Sequence, residues 1–316
     1  MSGLHKIVFV GLDAAGKTSI LQMLEGTYSG LDQIKPTLGT ERTDLEIMGF
    51  QIKNWDLGGQ ERYRKEHLQR YKDVLFATDF LIFVLDIQRE IRFEEAVIYF
   101  EDVLLALKRL KIKCPVLLCL HKADPDIIEK GDLQKNLDVA TSLFNDTAKR
   151  QDLKIKLFNT SIFDRKSLIE MFSYSISELI QLTLLNRVLN EFRQKSDKFG
   201  VLGSVLFDQH LFVVGSSFPN PTIKNACFNT LNALTDITRD FKSVYDANRP
   251  IELNLPVIGG SLYKFSFMRI PKLPDTYYHL IMGAPSLKVT ESIALFQDNF
   301  VAKINNTIYS QIQTSD

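Results

Sequence analysis

Cysteine is scarce in this chain. The 3 cysteines among 316 residues, Cys114, Cys119 and Cys227, are too few and too scattered for a disulfide framework. Cys114 and Cys119 flank the apolar run Pro115–Leu118, where a free thiol behaves as a small hydrophobe; a reducing, cytoplasmic setting is the expectation. Excess charge is missing too. Lys plus Arg and Asp plus Glu each number 38, so the basic footprint of most nucleic-acid binders is absent and no nucleic-acid partner is expected. No apolar run approaches the roughly 20 residues of a membrane-spanning helix. Met1–Lys6 carries no signal-peptide hydrophobic core, Gly3 does not directly follow Met1 as myristoylation requires, and no cysteine stands near the carboxyl end for prenylation. No direct membrane anchor is expected, and any visit to a membrane would depend on partners. His5, His67, His210 and His279 lack metal-ligand spacing with the cysteines or with one another and read as structural or solvent-facing.

What remains is an ordinary globular composition, 45% hydrophobic and 24% charged, long enough for two domains. Short apolar strands recur at Lys6–Val10, Phe80–Asp86, Pro115–Leu120 and Ile155–Thr160, with a hairpin of Asp44–Met48 and Phe50–Trp55 about Gly49. Helical patterns at Lys17–Leu24, Phe93–Leu110, Leu133–Lys149 and Lys166–Leu182 separate them. That alternation predicts an α/β layer with a mostly parallel sheet covered on both faces. From about residue 183 the order becomes helix (Leu184–Lys195), hairpin (Val201–Phe207, Leu211–Gly215), helix (Thr222–Tyr245), three-stranded meander and a final helix. The final helix places Ile293, Phe296, Phe300, Ile304 and Ile308 on one stripe, an α+β pattern.

Three motifs carry chemistry. Gly11-Leu12-Asp13-Ala14-Ala15-Gly16-Lys17-Thr18 follows a strand and opens a helix, the G-x-x-x-x-G-K-[ST] phosphate loop. Its backbone N–H groups and the helix N-terminus offer partial positive charge to phosphates; Lys17 adds a full charge, and the Thr18 hydroxyl suits Mg²⁺. Trp55-Asp56-Leu57-Gly58-Gly59-Gln60-Glu61 ends a second strand. An Asp there can support Mg²⁺, Gly59 lets a backbone N–H approach a γ-phosphate, and Gln60 can orient an attacking water. His121-Lys122-Ala123-Asp124 closes a third strand, where the Asp124 carboxylate can accept two N–H bonds from guanine. Thr160-Ser161-Ile162 closes the next and can present backbone N–H groups to a base.

Together these motifs resemble the Ras-superfamily GTPases. The phosphate loop, Pro36-Thr37 and Trp55–Glu61 look Arf-like, whereas His121-Lys122-Ala123-Asp124, in place of Asn-Lys-x-Asp, and Thr160-Ser161-Ile162-Phe163-Asp164 resemble the Rag GTPases. The second half is similar in element order to the roadblock (longin-like) domain of Rag proteins. The resemblance implies a P-loop GTPase domain over residues 1–182 and a roadblock dimerisation domain over 183–316, binding GTP/GDP and Mg²⁺. Carried over by position, Asp13, Ala14, Ala15, Gly16, Lys17 and Thr18 would cradle the phosphates. Thr18, Thr37 and Asp56 would serve the metal, with Thr40 a second candidate for the switch threonine. Gly59 would meet the γ-phosphate and Gln60 the water. Asp124 would read guanine, with Lys122 packed on it, His121 beside it, and Ser161 and Ile162 touching it through backbone.

The resemblance also implies a homo- or heterodimer with a Rag-like GTPase, roadblock scaffold proteins, a GTPase-activating protein, an exchange factor, and recruitment to an endomembrane in nutrient signalling. An exposed sheet edge or the last-helix stripe would supply the dimer interface. Two departures stand out: His121 cannot reproduce an Asn carboxamide, and Asp13 adds a carboxylate to the phosphate loop. No arginine stands out as acting on phosphate from within the chain. A partner's arginine is worth about 10³–10⁵ in such reactions, so isolated turnover should be slow. The alternatives are a nucleotide-bound roadblock scaffold with little or no hydrolysis, and a small-metabolite P-loop kinase, for which no lid or acceptor site is recognisable.

Overall fold

The computed structural model describes residues 4–24, 40–47, 50–129, 133–180, 183–208, 211–240, 250–256, 262–270 and 277–314. The chain divides into two compact units between Met171 and Phe172; the sequence reading sets the join at 182/183, and residues 172–180 continue the helix Arg165–Ile180.

In the first unit, β1 (Leu4–Val10), β2 (Thr40–Ile47), β3 (Phe50–Leu57), β4 (Phe80–Asp86), β5 (Val116–His121) and β6 (Ile155–Thr160) form one sheet in the order β2-β3-β1-β4-β5-β6. The pairs β3–β1, β1–β4, β4–β5 and β5–β6 are parallel. Alternate residues of the central strands are buried on both faces, Phe83 and Leu118 on one and Ile82 and Leu117 on the other, which is why these strands read as unbroken apolar runs. The helices of this unit are α1 (Lys17–Leu24), α2 (Glu61–Gln69), α3 (Tyr71–Leu75), α4 (Phe93–Arg109), α5 (Pro125–Glu129), α6 (Gln134–Arg150) and the first part of α7 (Arg165–Ile180). Phe83, Phe100 and Phe144 stitch β4, α4 and α6 together with ring centroids 5.0–5.5 Å apart. Cys114 and Cys119 are buried free thiols, pushed up to about 12 by burial.

The second unit is antiparallel. Its strands β7 (Val201–Asp208), β8 (Val213–Ser217), β9 (Ile251–Pro256), β10 (Leu262–Arg269) and β11 (Tyr277–Gly283) lie in the order β8-β7-β11-β10-β9. Helix α9 (Pro221–Asp240) covers one face, where Cys227 meets Met282. Helices α8 (Thr183–Lys195), α10 (Val289–Asn299) and α11 (Val301–Thr314) cover the other. The predicted final helix is therefore two, broken at Phe300. Its stripe is not an exposed interface either: Phe296, Phe300, Ile304 and Ile308 are buried in the unit's own core, with Phe192 edge-on to both phenyl rings. The stripe's period is helical because it faces a core, and that core is internal. Phe265 and Phe267 are likewise core residues. The predicted helical extension Phe241–Tyr245 and the hairpin residues Gln209 and His210 lie outside the described residues.

His279 of β11 is fully buried, stacked on Phe296 at 3.8 Å, with Nε2 2.8 Å from Ser204 Oγ. Burial pushes its pKa down to about 3. The folded chain therefore keeps this ring neutral while the unfolded chain protonates it below about pH 6.5, so stability is full above that value and falls toward pH 3. At pH 5 the loss is about 2 kcal/mol, at ~1.4 kcal/mol per unit. Thermal or urea melts at pH 7.5 and 5 check it: the pH-dependent loss should shrink by about that amount in His279→Phe/Ser204→Ala, and an unchanged loss would assign it elsewhere.

Candidate functional site

The chemistry-bearing motifs lie at the carboxyl ends of the parallel strands, where open α/β sheets bind ligands. The loop after β1 turns sharply. Gly11 and Gly16 have φ of 150° and 97°, and Ala14 is left-handed at 56°. A Cβ on Gly16 would lie 2.5 Å from the His121 ring, so only glycine lets the loop rest there. Inside the loop, Lys17 is 6% exposed and its Nζ donates to the carbonyls of Gly11 (3.2 Å) and Leu12 (3.0 Å). Burial pulls its pKa down to about 8 against the pull of Asp56 and Asp13, and an added phosphate anion would reverse that shift.

Thr18 Oγ1 donates to Asp56 Oδ2 at 2.5 Å. Asp56 reaches this point because β3 runs parallel to β1 with Asp56 opposite Phe9. A hydroxyl and a carboxylate in contact are two hard oxygen donors of the kind Mg²⁺ takes, with remaining positions left for water and phosphate. Among the described residues no group of three or more His, Cys, Asp or Glu converges to hold a metal ion by itself. Thr37 lies outside the described residues; Thr40 opens β2 with its hydroxyl 3.4 Å from His67 Nε2 of α2.

Gly59 is buried against the phosphate loop: a Cβ on it would stand 2.2–2.3 Å from main-chain atoms of Leu12 and Asp13. Half-buried Gln60 is the first residue before α2, extended at φ −62° and ψ 145°, and its side chain makes no capping bond.

At the other end, Asp124 is gripped on both oxygens, Oδ1 by the Ser161 hydroxyl at 2.5 Å and Oδ2 by Gln88 Nε2 at 2.9 Å. Gln88 also donates to the Lys122 carbonyl at 2.8 Å. Lys122 is left-handed (φ 62°) and its Nζ bridges the Ala14 carbonyl (2.8 Å) and Asp86 Oδ2 (2.7 Å), lacing this loop to the phosphate loop. The Ser161 N–H is engaged by Ser167 Oγ at 3.1 Å, so Ser161 addresses Asp124 by its hydroxyl; Ile162 follows it, half-buried. His121 is 1% exposed, with Nδ1 2.9 Å from Thr160 Oγ1, and burial pushes its pKa down to about 4. A neutral imidazole thus lies beneath Gly16, tied to β6 through Thr160.

Two contributors carry no sequence signal. Gln88 holds Asp124 from 36 residues away, and Arg92 holds Asp13 from 79 residues away, Nη2 to Oδ1 at 2.7 Å. Arg92 thus reaches the phosphate loop through the Asp13 side chain, a contact the sequence does not announce.

A phosphate loop, a Thr–Asp pair and a gripped carboxylate at the strand ends define a P-loop small GTPase. The Gtr1/RagA G protein conserved region matches residues 6–236, and the chain belongs to that family, the Rag-type GTPases. Among relatives, the GTP-binding protein gtr1 of Schizosaccharomyces pombe is 24% identical over 288 residues, 90% of each chain. The ADP-ribosylation factor-like protein 2 of Drosophila melanogaster is 32% identical over 132 residues, covering 42% of this chain and 68% of its own. Among solved structures, the Arl6 BBS3 small GTPase from Trypanosoma brucei with the bound nucleotide analogue GppNp aligns with a TM-score of 0.42 and 19% identity, covering 56% of this chain and 98% of that one.

Proposed function

We propose that the chain is a Mg²⁺-dependent GTP/GDP switch with slow intrinsic hydrolysis. The convergence of Lys17, the Thr18–Asp56 pair and Asp124 about one phosphate loop carries this reading, and the name of the fission-yeast relative is consistent with it. In this reading the backbone from Asp13 through Thr18, with Lys17, holds the α- and β-phosphates. Thr18 and Asp56 would hold Mg²⁺, with Thr37 joining in the GTP state, and the metal when bound would supply charge neutralisation to the phosphates. The Gly59 N–H meets the γ-phosphate, Gln60 orients water, and Asp124 accepts the N–H groups of guanine, supported by His121, Lys122, Ser161 and Ile162. Gain and loss of the γ-phosphate would order and release the switch segments about 34–42 and 58–71.

The second unit would pair with a Rag-like chain, identical or paralogous, and roadblock scaffolds would recruit the pair from the cytoplasm to an endomembrane for nutrient-linked signalling. A GTPase-activating protein and an exchange factor complete the cycle. Light scattering of the full chain, alone and with a Rag-like paralogue, tests the pairing; monomers in both samples would contradict it.

Single-turnover hydrolysis of GTP loaded on the full chain tests the chemistry. Gln60→Leu should slow it about tenfold while leaving GDP affinity unchanged, because the residue acts on water. Chelating Mg²⁺ should speed nucleotide release. GTP that persists unhydrolysed in the wild-type chain would favour the scaffold alternative, and an unaltered rate in Gln60→Leu would remove the role given to Gln60.

A further inference from the structure

Arg92 closes the short turn Glu90–Arg92 after β4, and its guanidinium grips Asp13 twice, through Nη2 to Oδ1 (2.7 Å) and Nη1 to the main-chain carbonyl (3.4 Å). Its Nε donates to Glu95 Oε2 at 3.0 Å, and the other oxygen of Glu95 accepts from Nη2 of Arg64. Arg64 belongs to α2, is 8% exposed, and its N–H bonds the carbonyl of Gln60 at 3.0 Å. Its Nε is buried without a hydrogen-bond partner. Asp13, Arg92, Glu95 and Arg64 therefore form a chain of alternating charge from the phosphate loop to the helix that follows Gln60.

The position of Asp13 gives this chain a consequence. Gly59 lies against the Leu12–Asp13 main chain, so Asp13 is the loop residue beside the corner where, in the function proposed above, the γ-phosphate arrives. GTP brings more negative charge to that corner than GDP does, and an unpaired carboxylate there opposes it. The hydrogen bond from Arg92 holds the Asp13 carboxyl below its usual range and does the same for Glu95, so both stay ionised as partners.

We propose that Arg92 is a positioning residue for the GTP state, neutralising and anchoring Asp13 and linking it through Glu95 and Arg64 to the helix that follows Gln60. The proposal rests on the guanine-nucleotide reading of the site. It explains how an Arf-like loop tolerates a carboxylate beside the γ-phosphate: the opposing charge is supplied from within the chain. Arg92 acts on Asp13 and is not assigned a contact with the reacting atoms. Its removal should therefore cost GTP more than GDP, whereas loss of packing alone would weaken both alike.

The test measures affinities of the full chain for GDP and for a non-hydrolysable GTP analogue by fluorescence titration. Arg92→Gln should lower the preference for the triphosphate on the order of tenfold, within the usual range of coupling between sites. Adding Asp13→Asn to that variant should restore the preference, because the uncompensated charge is then gone. Equal weakening of both nucleotides, or no recovery in the double variant, would overturn the proposal. If Arg92→Gln does not fold, Arg92→Lys is read the same way: it keeps the charge but not the two-point grip, and an undiminished preference would show that the grip is dispensable. A wild-type chain that binds neither nucleotide would overturn the functional reading together with this one, a result distinct from a wild-type chain that discriminates and a variant that discriminates equally.

Discussion

Replacing Asp124 with Asn is expected to weaken GDP binding by about a hundredfold or more and to transfer preference to xanthosine diphosphate. A carboxylate only accepts hydrogen bonds, and the guanine edge it would face only donates. Ser161 and Gln88 hold the carboxylate from either side at 2.5 and 2.9 Å, fixing its direction before any base arrives. Asn would present an N–H₂ to the donors of guanine, and sites built to pair a polar edge reject a mismatch by up to about 10⁴–10⁵. Xanthine carries an oxygen where guanine carries its amino group, and so accepts what Asn offers. Competition of GDP, XDP and ADP for a fluorescent nucleotide measures the exchange. A variant that keeps its guanine preference, or that loses GDP and XDP alike, would contradict base reading at Asp124.

The second large effect belongs to Gly59. A methyl group there would sit 2.2–2.3 Å from main-chain atoms of Leu12 and Asp13, and main chain, unlike a flexible side chain, cannot swing aside. Gly59→Ala should push this stretch of main chain, and Gln60 with it, about an ångström away from the phosphate loop, a misplacement worth about a hundredfold in rate. The predicted result is single-turnover hydrolysis slowed about a hundredfold, a lost preference for GTP, and GDP affinity within about threefold of wild type, because GDP brings no γ-phosphate to that corner. Unaltered hydrolysis would mean that Gly59 does not need to approach the loop during the reaction.

Legibility in the sequence followed locality. The phosphate loop, Asp56-Leu57-Gly58-Gly59-Gln60 and His121–Asp124 could be read because each is contiguous and ends an apolar strand, and the parallel α/β layer follows from the same spacing. The antiparallel second unit was legible as an element order. Its last stripe was correct in period but wrong in occupant, since periodicity reports a buried face without naming what buries it. Phe300 breaks the run into α10 and α11, which no glycine or proline at that point announces. Arg92 on Asp13 and Gln88 on Asp124 were illegible because each pair joins side chains that only the sheet order brings together. His121 stands out in the sequence as a departure, yet its resolution, a neutral ring beneath Gly16 bonded to Thr160, depends on the β5–β6 register that sets His121 opposite Thr160.

The most direct measurement is the identity and fate of the nucleotide carried by the purified wild-type chain. Nucleotide is released by gentle denaturation and resolved by ion-pair chromatography, and a second sample is reloaded with GTP in Mg²⁺ against excess ATP. A guanine nucleotide, unaffected by ATP and converted slowly from GTP to GDP, is the result expected of a Mg²⁺-dependent switch. Adenine nucleotide, or loading abolished by ATP, would contradict it.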